Sequence, residues 1–346
     1  MVAVIPFGRT GARSVRSGQE GMAVVAMLLV VAVVAVLAAA LMARQSTAIQ
    51  NAQAEQTRAQ AHWLLRGELS RVQTNLQGQA QRLAYTRLDG SWNRKQSGVI
   101  VGTLEGRPAR LYGEVVDEQS KFNLRNLVEG GVLQAEQANS FLRLCGFLGI
   151  APAQGRDIIR RVALSLVEPN RPGSAPRPST DQQAQTQTQR QKILSQLGLP
   201  TRLPARAQAP RLRSLDELQA LKGIDPATIE RLRPFVTLLP VTTSINANTA
   251  RAEVLAAAVP GLTLERARAL LGPRDSGQWF LHRSDIQARL QTPGAEWPAH
   301  INLGTTSHWF LSRNALKGQG SLFIAQSLLH DDKQGLPRVI WTRFGP

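Results

Sequence analysis

MAVVAMLLVVAVVAVLAAALMA, Met22–Ala43, is a run of 22 residues without a charged side chain. At a helical rise of ~1.5 Å per residue, such a run can cross a hydrocarbon layer that is ~30 Å thick. Three arginines precede it, Arg9, Arg13 and Arg16, and one glutamate, Glu20, opposes their charge. Positive residues that flank a membrane span stay in the cytoplasm. The sequence therefore predicts one transmembrane helix, with the rest of the chain on the far side of the membrane.

The residues before this run distinguish three kinds of N-terminal signal. A secretory signal peptide has an apolar region of about 7–15 residues that ends in a small-residue cleavage site, whereas here the apolar run is longer and Gly21 precedes it. A plain signal anchor remains an alternative. The segment Arg16–Gly21, followed at once by Met22, resembles the leader of type IV pilins and pseudopilins. That resemblance implies cleavage after Gly21 by a prepilin peptidase and methylation of the new amino terminus at Met22.

Ala26 departs from the pilin pattern. Most members of that family carry glutamate at the fifth residue after the cut, which here is Ala26. A carboxylate in the membrane is costly unless it is paired, and its usual partner is the terminal amine of the neighbouring subunit in the filament. A subunit with no neighbour ahead of it has no use for that charge. Ala26 therefore favours a position at the tip of a filament.

The predicted helix continues beyond the membrane. Residues 44–66 contain neither glycine nor proline and are rich in good helix formers. Apolar residues then recur at spacings of three and four, which is typical of one buried helix face. These are Leu65, Leu69, Val72, Leu76, Ala80 and Leu83. We expect a solvated stalk followed by a part of the helix that packs on its own domain.

Strand signals lie at both ends of the remaining chain, with helical signals between them. Five segments are predicted as strands: Val99–Val101, Arg110–Val116, Ser307–Ser312, Ser321–Ala325 and Arg338–Thr342. Turn residues separate them, including a hairpin turn at Glu105–Pro108. This order predicts an α+β fold, in which the long N-terminal helix packs on a small antiparallel sheet and a large α-helical domain is inserted into that sheet.

The insertion contains two predicted helices and one predicted linker. Ala135–Leu148 and Asp157–Val167 carry apolar helix faces, whereas residues 168–213 are proline-rich on either side of a Gln/Thr run and predict a solvated loop. The resulting domain plan is a leader (1–21), a transmembrane helix (22–43), the stalk and first strands (44–119), the inserted helical domain (120–300, with the linker at 168–213 and repeats at 214–272) and the C-terminal strands (301–346).

The repeats at 214–272 resemble helix-hairpin-helix units. Leu221–Leu232 and Val259–Leu270 share an apolar–glycine–apolar pattern 38 residues apart, in which the glycine permits a tight turn between helices. Ser214 opens a predicted capping box, and Asp225 and Thr263 are predicted N-caps of the second helices. Many such units bind DNA phosphates through backbone N–H groups at the turn. Here Asp225 and Thr263 stand where DNA-binding versions usually carry glycine, so structural hairpins are favoured.

The charge of the chain is strongly positive. Its 41 Lys and Arg outnumber 24 Asp and Glu, which gives a formal charge of +17. Such a surplus suggests an anionic partner, such as nucleic acid, lipid headgroups or an acidic protein face. The single cysteine, Cys145, excludes an intramolecular disulfide framework.

Two further segments suggest a family. Asp117–Leu127 and Ser244–Leu255 resemble segments of the minor pseudopilin K family of type II secretion systems, and the order of leader, apolar helix, strands, helical insertion and closing strands fits that family. The resemblance implies a non-enzymatic protein of the inner membrane with most of its chain in the periplasm. Its implied partners are the I-, J- and H-type minor pseudopilins, the major pseudopilin, the prepilin peptidase and the inner-membrane assembly platform. Its implied role is to initiate and cap a pseudopilus that drives protein export across the outer membrane.

Metal and catalytic sites are not predicted. Some relatives bind calcium, and acidic residues occur in the matching region, but they lack EF-hand spacing, so no ligand is assigned. These residues are Asp117, Glu118, Asp157 and Glu168, and the histidines without metal-ligand spacing or a nucleophile nearby are His62, His282, His300, His308 and His330. We expect no cofactor from the residue patterns, while the family resemblance implies that calcium can bind through ligands that are not assigned. The alternatives are a membrane-anchored DNA-binding protein of the competence type, which would use the hairpins, and an anchored periplasmic enzyme, which no residue pattern supports.

Overall fold

The computed structural model describes residues 20–166, 181–204, 206–290 and 301–345. The chain divides into two compact units, Met1–His62 and Trp63–Pro346. The helix α1, Glu20–Ala80, supplies all described residues of the first unit and the start of the second. Side chains from Met22 to Ala43 are exposed, and within the described part of the chain α1 is the one helix that is long and apolar enough to span a membrane. This helix fits a single-pass membrane anchor.

The second unit contains a five-stranded antiparallel sheet. Its strands are β1 (Gln96–Leu104), β2 (Arg107–Asp117), β3 (Trp309–Lys317), β4 (Leu322–His330) and β5 (Arg338–Gly345). They lie side by side in chain order. β2 pairs with β3 from Arg110 opposite Lys317 to Asp117 opposite Phe310, although about 190 residues separate the two strands in sequence. The predicted α+β class, with helical material inserted into the sheet, is confirmed.

The β1–β2 hairpin shows how local sequence sets the sheet register. Two residues connect the strands, and both have positive φ: 53° at Glu105 and 74° at Gly106. Such a turn has the backbone twist that joins antiparallel strands with little strain, and glycine adopts it readily. The observed turn is shorter than the predicted turn at Glu105–Pro108, because Pro108 already lies in β2 opposite Thr103.

One face of the sheet packs on α1. Leu69, Val72 and Leu76 contact a cluster of sheet and loop residues. Its other members are Trp92, Val115, Phe310 and Leu329. Burying each large apolar side chain contributes roughly 1.5–3 kcal/mol. The helix ends at Ala80, so Leu83, predicted on the same stripe, lies just beyond it.

Gly102 permits the close approach of helix and sheet. A Cβ at this position of β1 would stand 2.7 Å from the Cδ2 atom of Leu64. Strand pairing also shifts between Ile100 and Gly102. A larger residue would push helix and strand apart.

The inserted domain has its own core. Its helices are α2 (Ala135–Phe147), α3 (Pro152–Ser165), α4 (Asp181–Gln196), α5 (Pro226–Leu232), α6 (Ala252–Ala258), α7 (Leu264–Asp275) and α8 (Arg283–Leu290). Two-residue strands add short pairs: Phe122–Asn123 with Val236–Thr237, Ile245–Asn246 with Leu303–Gly304, and Val128–Glu129 with Val132–Leu133. Phe141, Leu144 and Ile158 are fully buried in this core. A separate small cluster of Leu239, Trp309 and Leu328 joins it to the sheet.

The predicted helices of the insertion are close to those observed. α2 ends at Phe147, one residue before the predicted end. α3 begins at Pro152, five residues earlier than predicted, because proline is well suited to the first turn of a helix. It ends at Ser165, and Val167 lies outside the described residues.

The prediction of a solvated linker at 168–213 is wrong for part of that segment. α4 occupies Asp181–Gln196, and Leu194, Leu199 and Leu212 are buried in the domain core. Residues 181–196 contain no glycine or proline, so the Gln-rich run can continue a helix whose end carries apolar anchors. The residues from 167 to 180 lie outside the described part.

The predicted capping box at Ser214 is also corrected. The segment after it, Leu215–Ala220, is a 3₁₀ helix, and the Ser214 side chain caps none of its N–H groups. Glu217 does reach back, since its Oε1 accepts a hydrogen bond from the Arg213 N–H at 3.1 Å. That donor is one residue before the N-cap, so neither bond of the predicted capping box is formed.

Candidate functional site

The residues predicted for processing lie at the start of α1. Gly21 and Met22 are in its first turn, and the side chains of Met22 and Ala26 are exposed. Since residues four apart share one helix face, Met22 and Ala26 lie on the same side of α1. Because residue 26 is alanine, this face of α1 carries no charged side chain at that position.

Asp117 is the centre of a buried polar network at the end of β2. It is 2% exposed. Its Oδ1 accepts a hydrogen bond from the Gln119 N–H at 2.8 Å, and its Oδ2 accepts bonds from the hydroxyls of Thr249 and Ser307, both at 2.5 Å. We call Asp117, Gln119, Asn246, Thr249 and Ser307 the junction network. It joins the end of the second strand to two segments more than 120 residues away.

Burial has the largest effect on the pKa of Asp117. Loss of hydration raises the pKa of its carboxyl group above the ordinary value of 3.8. The hydrogen bonds from Ser307, Thr249 and Gln119 oppose this shift, and the nearby Glu118 adds to it. The donors therefore make a buried carboxyl group tolerable without a metal or a cationic partner.

Glu118 and Lys121 form a second buried pair beside the junction network. Their side chains are each 6% exposed, and Lys121 Nζ lies 2.6 Å from Glu118 Oε1. The other carboxylate oxygen, Oε2, accepts a hydrogen bond from the Thr237 hydroxyl at 2.5 Å. Both charges are thus satisfied inside the protein, which a buried ion pair requires if it is not to destabilise the fold.

Buried asparagines connect the same segments. The Asn123 amide donates to the Val241 carbonyl at 2.8 Å and accepts from the Leu239 N–H at 3.1 Å. The Asn246 amide donates to the Ser307 hydroxyl at 2.7 Å. An amide carries both donors and acceptors, so one side chain can bridge two strands of irregular backbone. These bonds stabilise the junction of the sheet and the insertion.

The two segments can be recognised in the sequence, but the contacts between them cannot. Asp117–Leu127 and Ser244–Leu255 carried the family resemblance without an assigned role, and the structure brings them together around Asp117. Lys121, Thr237 and Ser307 were missed. A polar residue at a strand end ordinarily faces solvent, so local sequence gives no signal that these side chains are buried partners.

Three of the four acidic residues considered for calcium lie in the described part of the chain, and they do not form a calcium site. Asp117 and Glu118 are already occupied by protein donors, and Asp157 pairs with Arg160 at 2.8 Å on the surface. Glu168 lies outside the described residues. Across the described ranges, no group of three or more His, Cys, Asp or Glu side chains could hold a metal ion.

The remaining candidate groups show no catalytic arrangement. His308 and His330 come close, with ring centroids 6.3 Å apart, and His308 Nδ1 lies 2.7 Å from the Asp331 carbonyl oxygen. Burial lowers the pKa of His330. Burial also raises the pKa of the Cys145 thiol to about 12, which makes it unreactive at neutral pH. His62 and His282 are exposed at separate places, and His300 lies outside the described residues.

The two glycine turns have the expected local geometry. Gly223 and Gly261 have φ of 84° and 77°. Asp225 caps α5 by accepting from the Thr228 N–H at 2.7 Å, and Thr263 caps α7 by accepting from the Arg266 N–H at 3.2 Å. The bonds from Thr228 lower the pKa of Asp225, so an ionised carboxylate stands where a DNA phosphate would bind. Their assignment as helix-hairpin-helix units stays a prediction.

Comparisons with known proteins agree with this architecture. The chain is similar to the type II secretion system protein K of Pectobacterium carotovorum subsp. carotovorum, with 31% identity over 148 residues. The match covers 41% of this chain and 45% of that protein's length. The fold resembles a chain in the crystal structure of the GspK–GspI–GspJ complex from enterotoxigenic Escherichia coli. That likeness has a TM-score of 0.59 at 18% identity and covers 86% of this chain and 99% of the other.

Family models identify the inserted domain directly. Two models that both describe type II secretion system protein K match residues 120–241 and 245–305, together just over half of the chain. The second matched range contains Asn246 and Thr249 of the junction network, and the first contains Lys121 of the buried ion pair beside it. The chain belongs to the type II secretion system protein K family.

Proposed function

We propose that this protein is a minor pseudopilin at the tip of the type II secretion pseudopilus, where it initiates and caps assembly for protein export across the outer membrane. The observation that carries the proposal is an exposed apolar helix with Ala26 at the fifth position, in a chain of the protein K family. The role is structural and not catalytic.

Ala26 supports the tip position through charge. A glutamate at this position in other pseudopilins would pair with the terminal amine of the subunit ahead of it. A first subunit has no such neighbour, so a carboxylate there would stay unpaired in the membrane, which is unfavourable. Alanine avoids this cost.

Processing after Gly21 is the first part of the proposal to test. The full chain is co-expressed with a prepilin peptidase, and its N-terminus is read by mass spectrometry. We expect loss of residues 1–21 and a methylated Met22. Gly21→Val should block cleavage, whereas the matched leader variant Gly18→Val should still be cut. An intact leader in the unaltered chain, or cleavage near residue 43, would contradict this proposal.

The second part of the proposal concerns the proteins that bind this chain. The resembling complex contains GspK, GspI and GspJ, and we propose the I- and J-type minor pseudopilins as direct partners of this chain, with the H-type and the major pseudopilin following them. The test is copurification of the full chain with tagged I- and J-type subunits from the inner membrane. A tip subunit should assemble normally with Ala26, while Ala26→Glu should lower its recovery in the complex. Recovery of the chain without either partner would argue against the tip complex.

The proposed topology places one span in the inner membrane and most of the chain in the periplasm. A reporter enzyme that is active only in the periplasm, fused after residue 345, should be active.

DNA binding is the weaker alternative because Asp225 presents a negative charge at the turn. Retardation of DNA by the protein in a gel mobility assay at low salt would support that alternative.

A further inference from the structure

A groove lies beside the last strand of the sheet. It has a volume of about 700 Å³ and is bounded by β4, β5 and segments of the inserted domain, all within Trp63–Pro346. We call it the β5 groove. The lining residues used below are Leu239, Leu328, Trp341, Arg211, Arg213 and Arg343.

The floor of the β5 groove is apolar. Leu239 and Leu328 are 3% and 4% exposed, and Trp341 packs on them while remaining partly open to solvent. Ile340, which also lines the groove, is 44% exposed. The exposed parts of Ile340 and Trp341 favour burial of apolar side chains from a ligand.

The rim of the groove is positively charged. Arg211, Arg213 and Arg343 are exposed and line it, and Glu217 is the one carboxylate in the lining. The Arg343 guanidinium lies 4.6 Å from the centroid of the Trp341 ring and donates to the Arg213 carbonyl at 3.3 Å. Three positive charges against one negative charge leave the rim with a surplus of two. The groove therefore combines apolar contacts with attraction for carboxylates.

The backbone of β5 is also available. β5 is the last strand of the five, and no described strand pairs with its outer edge. Such an edge presents unpaired N–H and C=O groups that can take up an additional strand. Val339 on this strand is 40% exposed, so the strand also presents apolar surface.

We propose that the β5 groove binds an extended polypeptide segment of another protein that carries alternating apolar and acidic side chains. The segment adds to the sheet along the outer edge of β5. Its apolar side chains pack on Trp341, and its carboxylates pair with Arg213 and Arg343. The interaction goes beyond the proposed tip function, and it does not depend on that function.

The chain's own residues 167–180 fit the groove poorly. That segment follows Leu166, which lines the groove. It contains four prolines and two arginines against one glutamate. Proline lacks the N–H group that strand pairing needs, and a basic segment is repelled by a basic rim. Charge complementarity thus favours an acidic partner.

The test uses the full chain in an uncharged detergent and a fluorescein-labelled peptide that alternates glutamate with valine. Fluorescence anisotropy gives the dissociation constant. The same peptide with lysine in place of glutamate controls for apolar binding to the micelle and should not bind. We expect Arg213→Glu and Arg343→Glu each to weaken binding at least about tenfold, which corresponds to ~1.4 kcal/mol.

The matched control is Arg107→Glu, since Arg107 is also an exposed arginine of the sheet but lies at the far hairpin. It should leave the dissociation constant unchanged, which separates the groove from the general positive charge of the chain. Hydrogen exchange should slow in residues 338–345 when the peptide is bound. Equal weakening by Arg107→Glu, or protection only outside β5, would overturn the proposal.

The chain itself is the competing occupant. Replacing residues 167–180 by a glycine–serine segment of equal length should leave peptide affinity unchanged. A tenfold gain would mean that the native segment fills the groove, and the partner proposal would fall. Each variant is accepted only if its far-ultraviolet circular dichroism matches that of the parent. The peptide-binding assay contains no other pseudopilin, so a failure to bind peptide would not contradict the tip proposal. Likewise, a failure of tip assembly would not contradict the proposal that the β5 groove binds a peptide.

Discussion

The helix segment Met22–Ala43 exposes its apolar side chains, whereas the junction network buries a carboxyl group, hydroxyls and an amide. The two regions depart from the usual distribution of residues in opposite directions. Exposed apolar residues require a non-aqueous surrounding, which a membrane provides. Buried polar residues require protein partners, and here every carboxylate oxygen of Asp117 and Glu118 has one. The first region thus depends on its environment and the second on its own contacts.

This difference gives the two regions different responses to mutation. In the junction, removal of one partner leaves another polar group buried without a hydrogen bond, so the cost appears in the free energy of unfolding. In the apolar segment, a new charge changes little in the folded second unit but opposes entry into lipid. Stability and membrane insertion can therefore be measured as separate quantities.

The largest effect is expected for Lys121→Met. The substitution removes the cation that neutralises Glu118, whose carboxylate is then buried without an ionic partner. Breaking a buried pair in this way costs about 3–5 kcal/mol. The free energy of unfolding is measured by urea titration of the full chain in detergent, with tryptophan fluorescence as the signal.

Lys95→Met is the matched control for that prediction. Lys95 also pairs with a glutamate, Glu114, at 3.3 Å, but its side chain is 72% exposed. An exposed pair contributes less than about 1 kcal/mol. The double variant with Glu118→Gln should recover part of the loss, because the unpaired charge is gone. A cost for Lys121→Met no greater than that for Lys95→Met would show that the buried pair is not a structural requirement.

The second prediction concerns the exposed apolar segment. Val33→Lys places a charge at its centre, and the cost of inserting that charge is about 2.5–3.5 kcal/mol. We expect a lower fraction of the chain to resist alkaline extraction from membranes. Ile49→Lys, on the same helix but beyond the apolar run, should insert normally. Equal extraction of both variants would argue against a span at Met22–Ala43.

These two regions also show what could be predicted from the sequence. The apolar run needs no tertiary information, since length and absence of charge define it. The hairpin at Glu105–Gly106 and the five strands likewise follow from local turn chemistry and β-branched residues. Local signals of this kind are sufficient because each element is formed by residues close together in the chain.

The junction could not be predicted because its partners are distant in sequence. Asp117 contacts Thr249 and Ser307, which are more than 120 residues away, in a fold where β2 pairs with β3 across the whole insertion. The same reason explains the error at α4. Its Gln-rich composition predicts a loop, and the burial of Leu194 in a core formed by other segments stabilises it as a helix.

A smaller effect is expected for Thr249→Val. The change keeps the shape of the side chain and removes the hydroxyl that donates to Asp117 Oδ2 at 2.5 Å. Leaving a buried acceptor without this hydrogen bond costs about 1–3 kcal/mol. Thr103→Val, at an exposed position of β1, is the control and should be nearly neutral in the same urea titration. If both variants lose the same stability, the loss is due to the threonine-to-valine change itself and not to the broken hydrogen bond in the junction network.

The smallest effect is the pH dependence of stability due to Asp117. Because burial raises the pKa of its carboxyl group in the folded protein, the folded state retains this proton at pH values where the unfolded state has lost it. Its contribution to stability is therefore fully present below about pH 3.8 and is lost as pH rises through the raised folded pKa. The slope from this one group is no steeper than about 1.4 kcal/mol per pH unit. Asp117→Asn removes the titration, so the stability of the unaltered chain relative to this variant should fall as pH increases from 3.8. The exposed Asp89, changed to Asn, should not remove that slope. A relative stability that rises with pH would mean that the donors from Thr249 and Ser307 outweigh burial and hold Asp117 ionised.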